Sequence, residues 1–377
     1  MCGTRVLTEK ENIKQFKHLR KLNKMSYTYD IAIVVPMYNP GKKIKKCIKS
    51  ILKQTFTNFV LIIVDDGSTD CSNDICNNYA KKDERIQIIQ QENRGSVEAR
   101  KTGVLSDIAQ NSKYIVFCDS DDTMPCDALE TLYNVAEKYD VDCVCGNMTR
   151  IINGIKVPKK YSAPCFKQNE IKIYNHYSIM RDLYVSCFGI SNYPVSLWAK
   201  LYDRELITSI IDFKPIVKFM GDDLSVTLKL LPKTKRLAII SKSVYYYHVG
   251  GGTSKYMPFM LDDFLSLYNY KKSLIDIYKM DKKTELYLNI ELINIVFSYF
   301  QMCKYPGLFS NSKLNDAILR CINLEEVKDA VNYLNKNNSL NNLSQMLKNK
   351  DIIAINRYIN QDYNNNRIKR LIKKLIF

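Results

Sequence analysis

One pattern repeats between residue 31 and about residue 150: a short apolar run, an acidic or turn-rich loop, and a stretch with apolar residues at helical spacing. This order is typical of successive βαβ units, whose strands form a parallel sheet. The apolar runs predict strands at Ile31–Val35, Phe59–Val64, Ile86–Gln90, Tyr114–Cys118 and Val141–Cys145. We therefore expect an α/β fold with a mostly parallel sheet that is flanked by helices.

Three loops directly follow predicted strands. They read "PMYNPG", "DDGSTD" and "DSDDTMP", after the first, second and fourth strands. In open α/β sheets, ligands bind beyond the carboxyl ends of the strands. The three loops are therefore expected to meet at one crevice.

The rest of the chain divides by composition. Residues 151–255 are less periodic, contain "YPVSLWAKLYDREL", and are predicted to form the other wall of the crevice, for a second substrate. Residues 256–377 are Asn/Lys-rich and predict an appended helical region. Residues 1–28 are predicted to form a basic arm or helix. The expected catalytic domain is 29–255, which consists of a nucleotide-binding half (29–150) and an acceptor-binding half (151–255).

The last segment, "NRIKRLIKKLIF", predicts an amphipathic helix. Its apolar face holds Ile368, Leu371, Ile372, Leu375 and Ile376, and the rest carries Arg367, Lys369, Arg370, Lys373 and Lys374. Such a helix suits an anionic membrane surface. It equally suits docking on the protein's own core.

The charge and composition restrict the class of protein. A net charge of +17, from 56 Lys+Arg against 39 Asp+Glu, favours polyanionic partners: nucleic acid, an anionic membrane or phosphorylated substrates. No run reaches the roughly 20 apolar residues of a membrane span, and the start lacks the apolar core of a signal peptide. The 12 scattered cysteines indicate thiols of a reducing compartment. We therefore expect a cytoplasmic globular protein.

The stretch "DSDD" places three carboxylates in four positions at a strand end. Asp122 or Thr123 could cap a helix that begins near Pro125. That interpretation leaves Asp119 and Asp121 unexplained. A divalent cation such as Mg²⁺ or Mn²⁺ explains them, because it is usually held by one or two carboxylates together with substrate phosphates.

Two more acidic pairs also allow two interpretations. "VDDGSTD" could be a turn at Gly67 with Asp70 as a helix cap, or could supply carboxylate acceptors for a base or ribose. Asp222 and Asp223 could cap a helix, or one of them could be a general base. No G-x-G-x-x-G follows the first strand and no P-loop motif occurs, so the dinucleotide and P-loop classes lose their main support.

Seven motifs occur in order along the chain: "VVPMYN", "VDDGSTD", "QENRGSVEARKTGV", "DSDD", "WAKLYDREL", "GDDLSVTLKL" and "YYYHVGGGTS". Each is weak alone, but the ordered set resembles the family 2 glycosyltransferases of GT-A fold over residues 31–255. The resemblance implies a nucleotide-sugar donor, usually a UDP-sugar, and inverting transfer.

The resemblance also implies roles for individual residues. In the family, the proline-to-tyrosine loop and the second aspartate of the D-D-G-S motif hold uracil. One of the two arginines, Arg94 or Arg100, would approach the base or the diphosphate, although both could equally be helix-face residues. The donor-binding set carried over is Pro36, Tyr38, Asn39, Asp65, Asp66, Arg94, Arg100, Asp119, Ser120 and Asp121.

The metal and the sugar pocket follow from the same resemblance. Asp121, with Asp119 and His248, would hold Mn²⁺ or Mg²⁺, although His248 could equally be a core or hydrogen-bonding histidine. Asp122, Trp198 and Lys200 would flank the sugar, with a plain core position as the other interpretation of Trp198. "GGGTS" would form a mobile lid.

The family's glutamate-aspartate pair stands here as Asp222 and Asp223, with Asp223 as the base. The shorter Asp222 departs from the usual pattern and puts acceptor contacts in doubt.

The expected function is therefore inverting sugar transfer to a glycan or lipid-linked glycan at the cytoplasmic face of a bacterial membrane, in cell-surface polysaccharide synthesis. A nucleotidyl- or phosphotransferase would share the sheet. A glycosyltransferase releases a nucleoside diphosphate, whereas a nucleotidyltransferase releases pyrophosphate. A basic nucleic-acid-binding protein would give the acidic loops no role, and we expect no nucleic acid partner. A degenerate sheet that binds the donor without transfer is a further alternative.

Overall fold

The computed structural model describes residues 27–157, 163–167, 170–210, 216–218, 220–250, 259–304 and 311–365. Three predicted segments lie outside these residues. They are the basic arm except for its last two residues, the last four residues of the lid, and the C-terminal amphipathic helix.

The described residues contain nine strands in one sheet. They are β1 Tyr29–Met37, β2 Phe59–Asp65, β3 Ile86–Gln90, β4 Ser112–Phe117, β5 Cys143–Ile152, β6 Ile155–Val157, β7 Lys172–Asn175, β8 Lys200–Asp203 and β9 Arg236–His248. Their order in the sheet is β3-β2-β1-β4-β8-β5-β9-β7, with β6 paired to β5.

The first half of the sheet is parallel, as predicted. Strand β1 pairs in parallel with β2 and β4, and β2 pairs in parallel with β3. All seven residues of β2 are buried. A continuous apolar run is typical of a parallel strand that is covered on both faces, which explains why "FVLIIVD" does not alternate.

The second half completes the same sheet and makes it mixed. Strand β8 lies antiparallel between β4 and β5, while β9 is parallel to β5 and β7 forms an antiparallel edge. We predicted residues 151–255 as a wall of the crevice, without strands. Because β8 runs opposite to its neighbours, its amino end meets the carboxyl ends of β4, β5 and β9 at one edge.

Helices cover both faces of the sheet. Between residues 29 and 255 they are α1 Lys43–Leu52, α2 Ser72–Ala80, α3 Ser96–Leu105, α4 Asp107–Gln110, α5 Ala128–Tyr139, α6 His176–Ser178, α7 Arg204–Thr208 and α8 Asp222–Leu230. The C-terminal region contains α9 Met260–Ile277, α10 Lys282–Cys303, α11 Asn311–Asn323, α12 Glu325–Lys336, α13 Asn342–Lys348 and α14 Ile352–Asn365.

The apolar residues of these helices decide where they pack. In α1, Ile44, Cys47, Ile48 and Ile51 are buried, at the spacing of one helical face. They join the core on one side of the sheet, and α3 packs on the other side. A Cβ at Gly103 of α3 would lie 2.4 Å from Val34 Cγ1, so glycine allows this helix to approach the sheet closely.

The C-terminal helices share one core with the sheet. Most of the buried apolar side chains of α9 to α14 belong to the same cluster as those beneath α3. Helix α10 is long and apolar enough to cross a membrane by length and composition alone. Here its residues Leu288, Leu292 and Val296 are buried within this cluster. The helical region is therefore packed on the part of the protein that contains the sheet.

Candidate active site

Hydrogen bonds join the loops after β1 and β2. Asn39 has a positive φ of 49°, and its side-chain oxygen accepts from the N–H groups of Thr69 (2.8 Å) and Asp70 (3.2 Å). The Asn39 N–H donates to Ser68 Oγ. The two loops thus form one rigid edge, from which the Tyr38 ring projects with 55% of its surface exposed. Pro36 lies half-buried at the base of this edge.

Asp66 supports a third loop. It is buried, and its carboxylate accepts hydrogen bonds from Gln91 Nε2, from Arg94 N (2.9 Å) and from Gly95 N (2.8 Å). Asp65, also buried, accepts from Ser68 N within its own turn. A carboxylate has about four acceptor positions, so three of those on Asp66 are already taken. The structure shows Asp66 fixing the loop before α3, and its contact with a base stays a prediction.

Arg100 joins acidic residues that are far apart in the chain. Its side chain projects from α3 and is only 7% exposed. Nη2 lies 2.9 Å from Asp119 Oδ1, and Nη1 lies 3.2 Å from Asp222 Oδ2 and 3.4 Å from Asp223 Oδ1. Burial alone would lower the pKa of this guanidinium, but Asp223, Asp119 and Asp222 outweigh burial and raise it. The carboxyl end of β4 and the start of α8 therefore meet at one buried cation.

The surroundings of Asp223 suit proton transfer. Oδ2 accepts from Leu197 N at 3.2 Å, while Oδ1 is buried and makes no hydrogen bond to any residue that the structure describes. Burial raises the pKa of Asp223 to about 7, since Asp222 and Asp119 add to burial and Arg100 only partly opposes it. A carboxylate with a pKa near neutrality is well matched to general base catalysis.

Asp222 holds the start of α8 in place. Its Oδ2 accepts from Ser96 Oγ at 2.6 Å and from Arg100, and its Oδ1 accepts from the N–H of Asp223 at 2.8 Å. Both carboxylate oxygens of Asp222 thus accept hydrogen bonds. In this structure Asp222 orients Asp223 and connects it to α3.

Asp122 and His248 connect the loop after β4 to the end of β9. Asp122 is 1% exposed, and its Oδ1 accepts from His248 N at 2.7 Å. Its Oδ2 has no hydrogen-bond partner among the described residues, and burial raises the pKa of Asp122 to about 8. The His248 ring bonds through Nε2 to Thr123 Oγ1 at 2.9 Å. Burial lowers the pKa of His248, and the nearby Lys46 and Lys43 add to this effect.

Trp198 lies at the same edge because β8 begins there. Its ring stacks on Tyr245 (centroids 4.6 Å apart, 9° between planes) and is nearly parallel to Tyr247 at 5.7 Å. The next residue, Ala199, takes a positive φ of 59°, which is uncommon for a residue with a Cβ. This strain turns the chain into β8 and leaves Trp198 half-buried at the crevice.

Lys200 does not reach the crevice. It is 1% exposed, and its ammonium donates to the carbonyl oxygens of Pro194 (2.8 Å) and Ser196. The Tyr193 ring lies 5.1 Å from the same nitrogen. We predicted Lys200 beside the sugar, but the structure places it beneath the Trp198 segment, where it stabilises the turn before β8.

A divalent cation fits this site only if the substrate supplies most of its ligands. Asp119 is paired with Arg100 and His248 with Thr123, and no three His, Cys, Asp or Glu side chains converge on a metal position within the described ranges. Asp121 is 30% exposed, with Lys43 Nζ 3.6 Å from its Oδ2. Ser120 lies half-buried beside it. One carboxylate plus donor phosphates is a common way of holding Mg²⁺.

A cavity of about 640 Å³ lies between the start of α3 and the start of α9. Arg94, Ser96, Lys218, Phe259 and Asp263 are among the residues that line it. Ser96 also contacts Asp222, so the cavity is adjacent to the acidic group around Arg100. Arg94 is exposed at its rim, with Nη2 3.3 Å from Gln91 Oε1.

Sequence reasoning missed several functional contacts. Ser96 bonds Asp222, the Tyr245 hydroxyl accepts from Asp119 N (3.0 Å), and Leu197 N binds Asp223. Ser96 begins α3 directly after the glycine of "NRGS", and Tyr245 stands in "YYYH", so both lie inside motifs we had singled out. The Leu197 contact is made by a backbone N–H group, so the pattern of side chains in the sequence cannot predict it.

Comparisons with known proteins agree with this architecture. Residues 32–198 match the model of Glycosyl transferase family 2. The glycosyltransferase GlyA of Streptococcus pneumoniae is 32% identical over 62% of this chain and 33% of its own length. The poly(ribitol-phosphate) beta-glucosyltransferase of Bacillus spizizenii is 32% identical over 58% of this chain and 32% of its own. The chain therefore spans about a third of these relatives.

Among solved structures, S. aureus TarS 1-349 in complex with UDP-GlcNAc superposes with a TM-score of 0.63 at 20% identity. The match covers 89% of this chain and 92% of that one, so it extends through the C-terminal helices. This likeness shows the fold, a GT-A-type mixed sheet with a C-terminal helical region. The chain carries a family 2 glycosyltransferase domain, which the family model places at residues 32–198.

Proposed function

We propose that the protein transfers a sugar from a UDP-sugar to a hydroxyl group of a cell-surface glycan or lipid-linked glycan, with inversion at the anomeric carbon. The observation that carries the proposal is the Arg100 ion-pair group, which brings Asp223 next to the β4 carboxyl end where the donor diphosphate is expected. Named relatives support the acceptor class, since one is a poly(ribitol-phosphate) glucosyltransferase. The UDP-GlcNAc complex of TarS supports the donor class.

The residues divide the reaction between them. Asp223 takes the proton of the acceptor hydroxyl, and the oxygen attacks the anomeric carbon from the face opposite the diphosphate. The bond from the anomeric carbon to the diphosphate oxygen breaks, and UDP leaves with that electron pair. Asp222 and Leu197 N hold the base in position. One displacement gives one inversion.

The donor side is prearranged by the three joined loops. Tyr38 offers an exposed ring for stacking on uracil, and Trp198 with its tyrosine stack offers an apolar wall for the sugar. Asp121, with the donor phosphates, would hold Mg²⁺ or Mn²⁺. When bound, such a cation neutralises negative charge on the departing diphosphate.

The experiment measures UDP release from UDP-Glc, UDP-Gal, UDP-GlcNAc and UDP-GalNAc, with Mn²⁺ and with Mg²⁺, with and without a glycan acceptor. We expect one donor to give acceptor-stimulated release of UDP. Release of sugar 1-phosphate in place of UDP would indicate transfer of the nucleotidyl group. Binding without turnover would indicate a site that only binds the donor, and inertness toward all four donors would contradict the proposal. NMR of the anomeric proton in the product tests inversion.

Membrane association is a separate part of the proposal. It depends on residues 366–377, outside the described ranges, and on the net charge of +17. Sedimentation with vesicles that contain about 30% anionic lipid, compared with neutral vesicles, tests it. Equal sedimentation with both kinds of vesicle would remove this part and leave the transferase proposal intact.

A further inference from the structure

We propose that Asp263, in helix α9 of the C-terminal region, is a positioning residue that holds the segment delivering Asp223 to the reaction. This inference rests on the proposed function. It makes the helical region a working part of the active site, although the family model ends at residue 198.

The carboxylate of Asp263 is bound to the segment before α8. It is only 4% exposed, and its two oxygens accept from two backbone groups: Oδ1 from Lys218 N at 2.8 Å and Oδ2 from Met220 N at 2.9 Å. A charged acceptor bonded to backbone N–H groups is among the stronger hydrogen-bond arrangements in proteins. Met220 is followed directly by Gly221, Asp222 and Asp223.

A second contact lies one turn further along the same helix. Gly221 has φ +88° and ψ 21°, a conformation that favours glycine. A Cβ at Gly221 would lie 2.3 Å from Leu267 Cδ1. Helix α9 therefore contacts the segment with Asp263 and again, four residues later, with Leu267.

The third residue of the same stripe anchors the helix. Lys271, four residues after Leu267 and 2% exposed, pairs with Glu291 of α10 and donates to the carbonyl oxygen of Cys187 at 3.1 Å. Gly189, with φ +101°, approaches the Tyr287 carbonyl so closely that a Cβ would lie 2.6 Å from it. Helix α9 is thus fixed to the sheet-containing part of the protein and can hold Lys218, Met220 and Gly221 in a fixed position.

These contacts meet the active site at Asp222 and Asp223. Beyond Gly221, the chain is held by Ser96 and Arg100 from α3 and by Leu197 N. The start of α8 is therefore held from two sides, by the donor-binding half and by the helical region. Loss of the contacts from α9 would leave Asp223 attached to α3 but free to shift relative to the acceptor.

The test replaces Asp263 with Asn in the full chain. The amide keeps one acceptor oxygen but presents an NH₂ group to the second backbone N–H, so one contact becomes repulsive. We expect kcat to fall about 10- to 100-fold, because small misplacements of reacting groups cost rates of that order. The KM and the dissociation constant for the UDP-sugar should stay within about twofold, since the donor loops are untouched. Asp276→Asn, exposed on the same helix, is the matched control and should keep wild-type kinetics.

Gly221→Ala is the second variant, in case Asp263→Asn does not fold. It strains the same segment against Leu267 and should also lower kcat with donor affinity retained. Wild-type kcat in the folded variants would overturn the inference alone, and so would a loss of donor affinity in step with kcat. Absence of turnover by the wild type would overturn the proposed function first and this inference with it.

Discussion

The two sides of the crevice hold their carboxylates in different ways. On the side proposed to bind the donor, in the loops 36–41, 65–72 and 91–95, the partners of the aspartates are mostly neutral backbone N–H groups. Asp66 has two such partners and a glutamine amide, and Asp70 accepts from Gly41 N and Ser72 N. Burial opposes ionisation of Asp70, but the hydrogen bond with the Ser72 side chain, together with these backbone N–H groups, prevails and lowers its pKa.

On the acidic side, loop 119–122 and the start of α8 depend on one guanidinium. Arg100 is shared by Asp119, Asp222 and Asp223, and both Asp223 Oδ1 and Asp122 Oδ2 are buried without a hydrogen bond inside the described part of the chain. Burial consequently raises the pKa values of Asp223 and Asp122. The loops of the first side are organised by hydrogen bonds, whereas on the acidic side two buried carboxylate oxygens lack a hydrogen bond within the described residues.

Replacing Arg100 with Met should have the largest effect, because it leaves three carboxylates around an empty position. Removing one partner of a buried ionic group typically costs about 3 to 5 kcal/mol of unfolding free energy. We expect a loss of that order in urea denaturation and undetectable turnover. Arg94→Met, which removes an exposed arginine, should cost less than about 1 kcal/mol. Equal losses in the two variants would show that Arg100 does not organise the acidic side.

Asp223→Asn should lower the reaction rate without lowering the stability of the fold. We expect kcat to fall about 10²- to 10⁴-fold, the usual contribution of a general base, while UDP binding is retained. The pKa of Asp223 is 3.8 in the unfolded chain and about 7 in the folded protein. Ionisation of this carboxylate therefore lowers the free energy of unfolding as the pH rises from 3.8 through about 7. The neutral amide removes that cost, so at pH 8 the variant should melt no lower than the wild type. A lower melting temperature together with normal kcat would contradict the assignment.

Asp66→Asn should affect binding more than turnover. Replacing one carboxylate oxygen with an NH₂ group leaves a backbone N–H of the 94–95 loop without its acceptor, at a cost of about 1 to 3 kcal/mol. We expect a higher donor KM with kcat nearly unchanged. Asp74→Asn, exposed in the first turn of α2, should cost less than about 1 kcal/mol. A fall in kcat without a change in KM would contradict the prediction that Asp66 acts in donor binding and not in the reaction step.

The pH dependence of kcat tests the same carboxylate, Asp223, without a substitution. Asp223 faces Arg100 of α3, Asp222 beside it, Asp119 after β4 and Tyr202 of β8. The base acts only when deprotonated, so kcat should fall about tenfold for each pH unit below 7 and level off above it. Measuring UDP release at saturating donor between pH 5 and pH 9 tests this, and Asp276→Asn should follow the same curve. A midpoint near pH 4 would show that burial does not tune this carboxylate.

The first half of the fold could be predicted from sequence because its signals are local. The runs of β1 to β4 are apolar and bounded by turn residues, and the ends of β2 and β3 agree with the predicted ends to within one residue. Strand β5 begins at Cys143 and continues to Ile152. Its second half contains the polar residues Asn147 and Arg150, so the apolar pattern predicted an end at Cys145. Strand β8 has only four residues, and its position between β4 and β5 is a long-range pairing that no local pattern reports.

The sequence by itself determined which residues could be reactive: acidic loops at strand ends, an arginine in "ARKTG" and an aspartate pair before a helix. Only the tertiary structure decided their partners. It assigned Arg100 to three carboxylates, buried Lys200 beneath Trp198 and bound Asp263 to the segment before α8. The physical reason is that strand and helix signals arise within a few neighbouring residues. Ionisation and positioning depend instead on burial and on groups brought close by the fold.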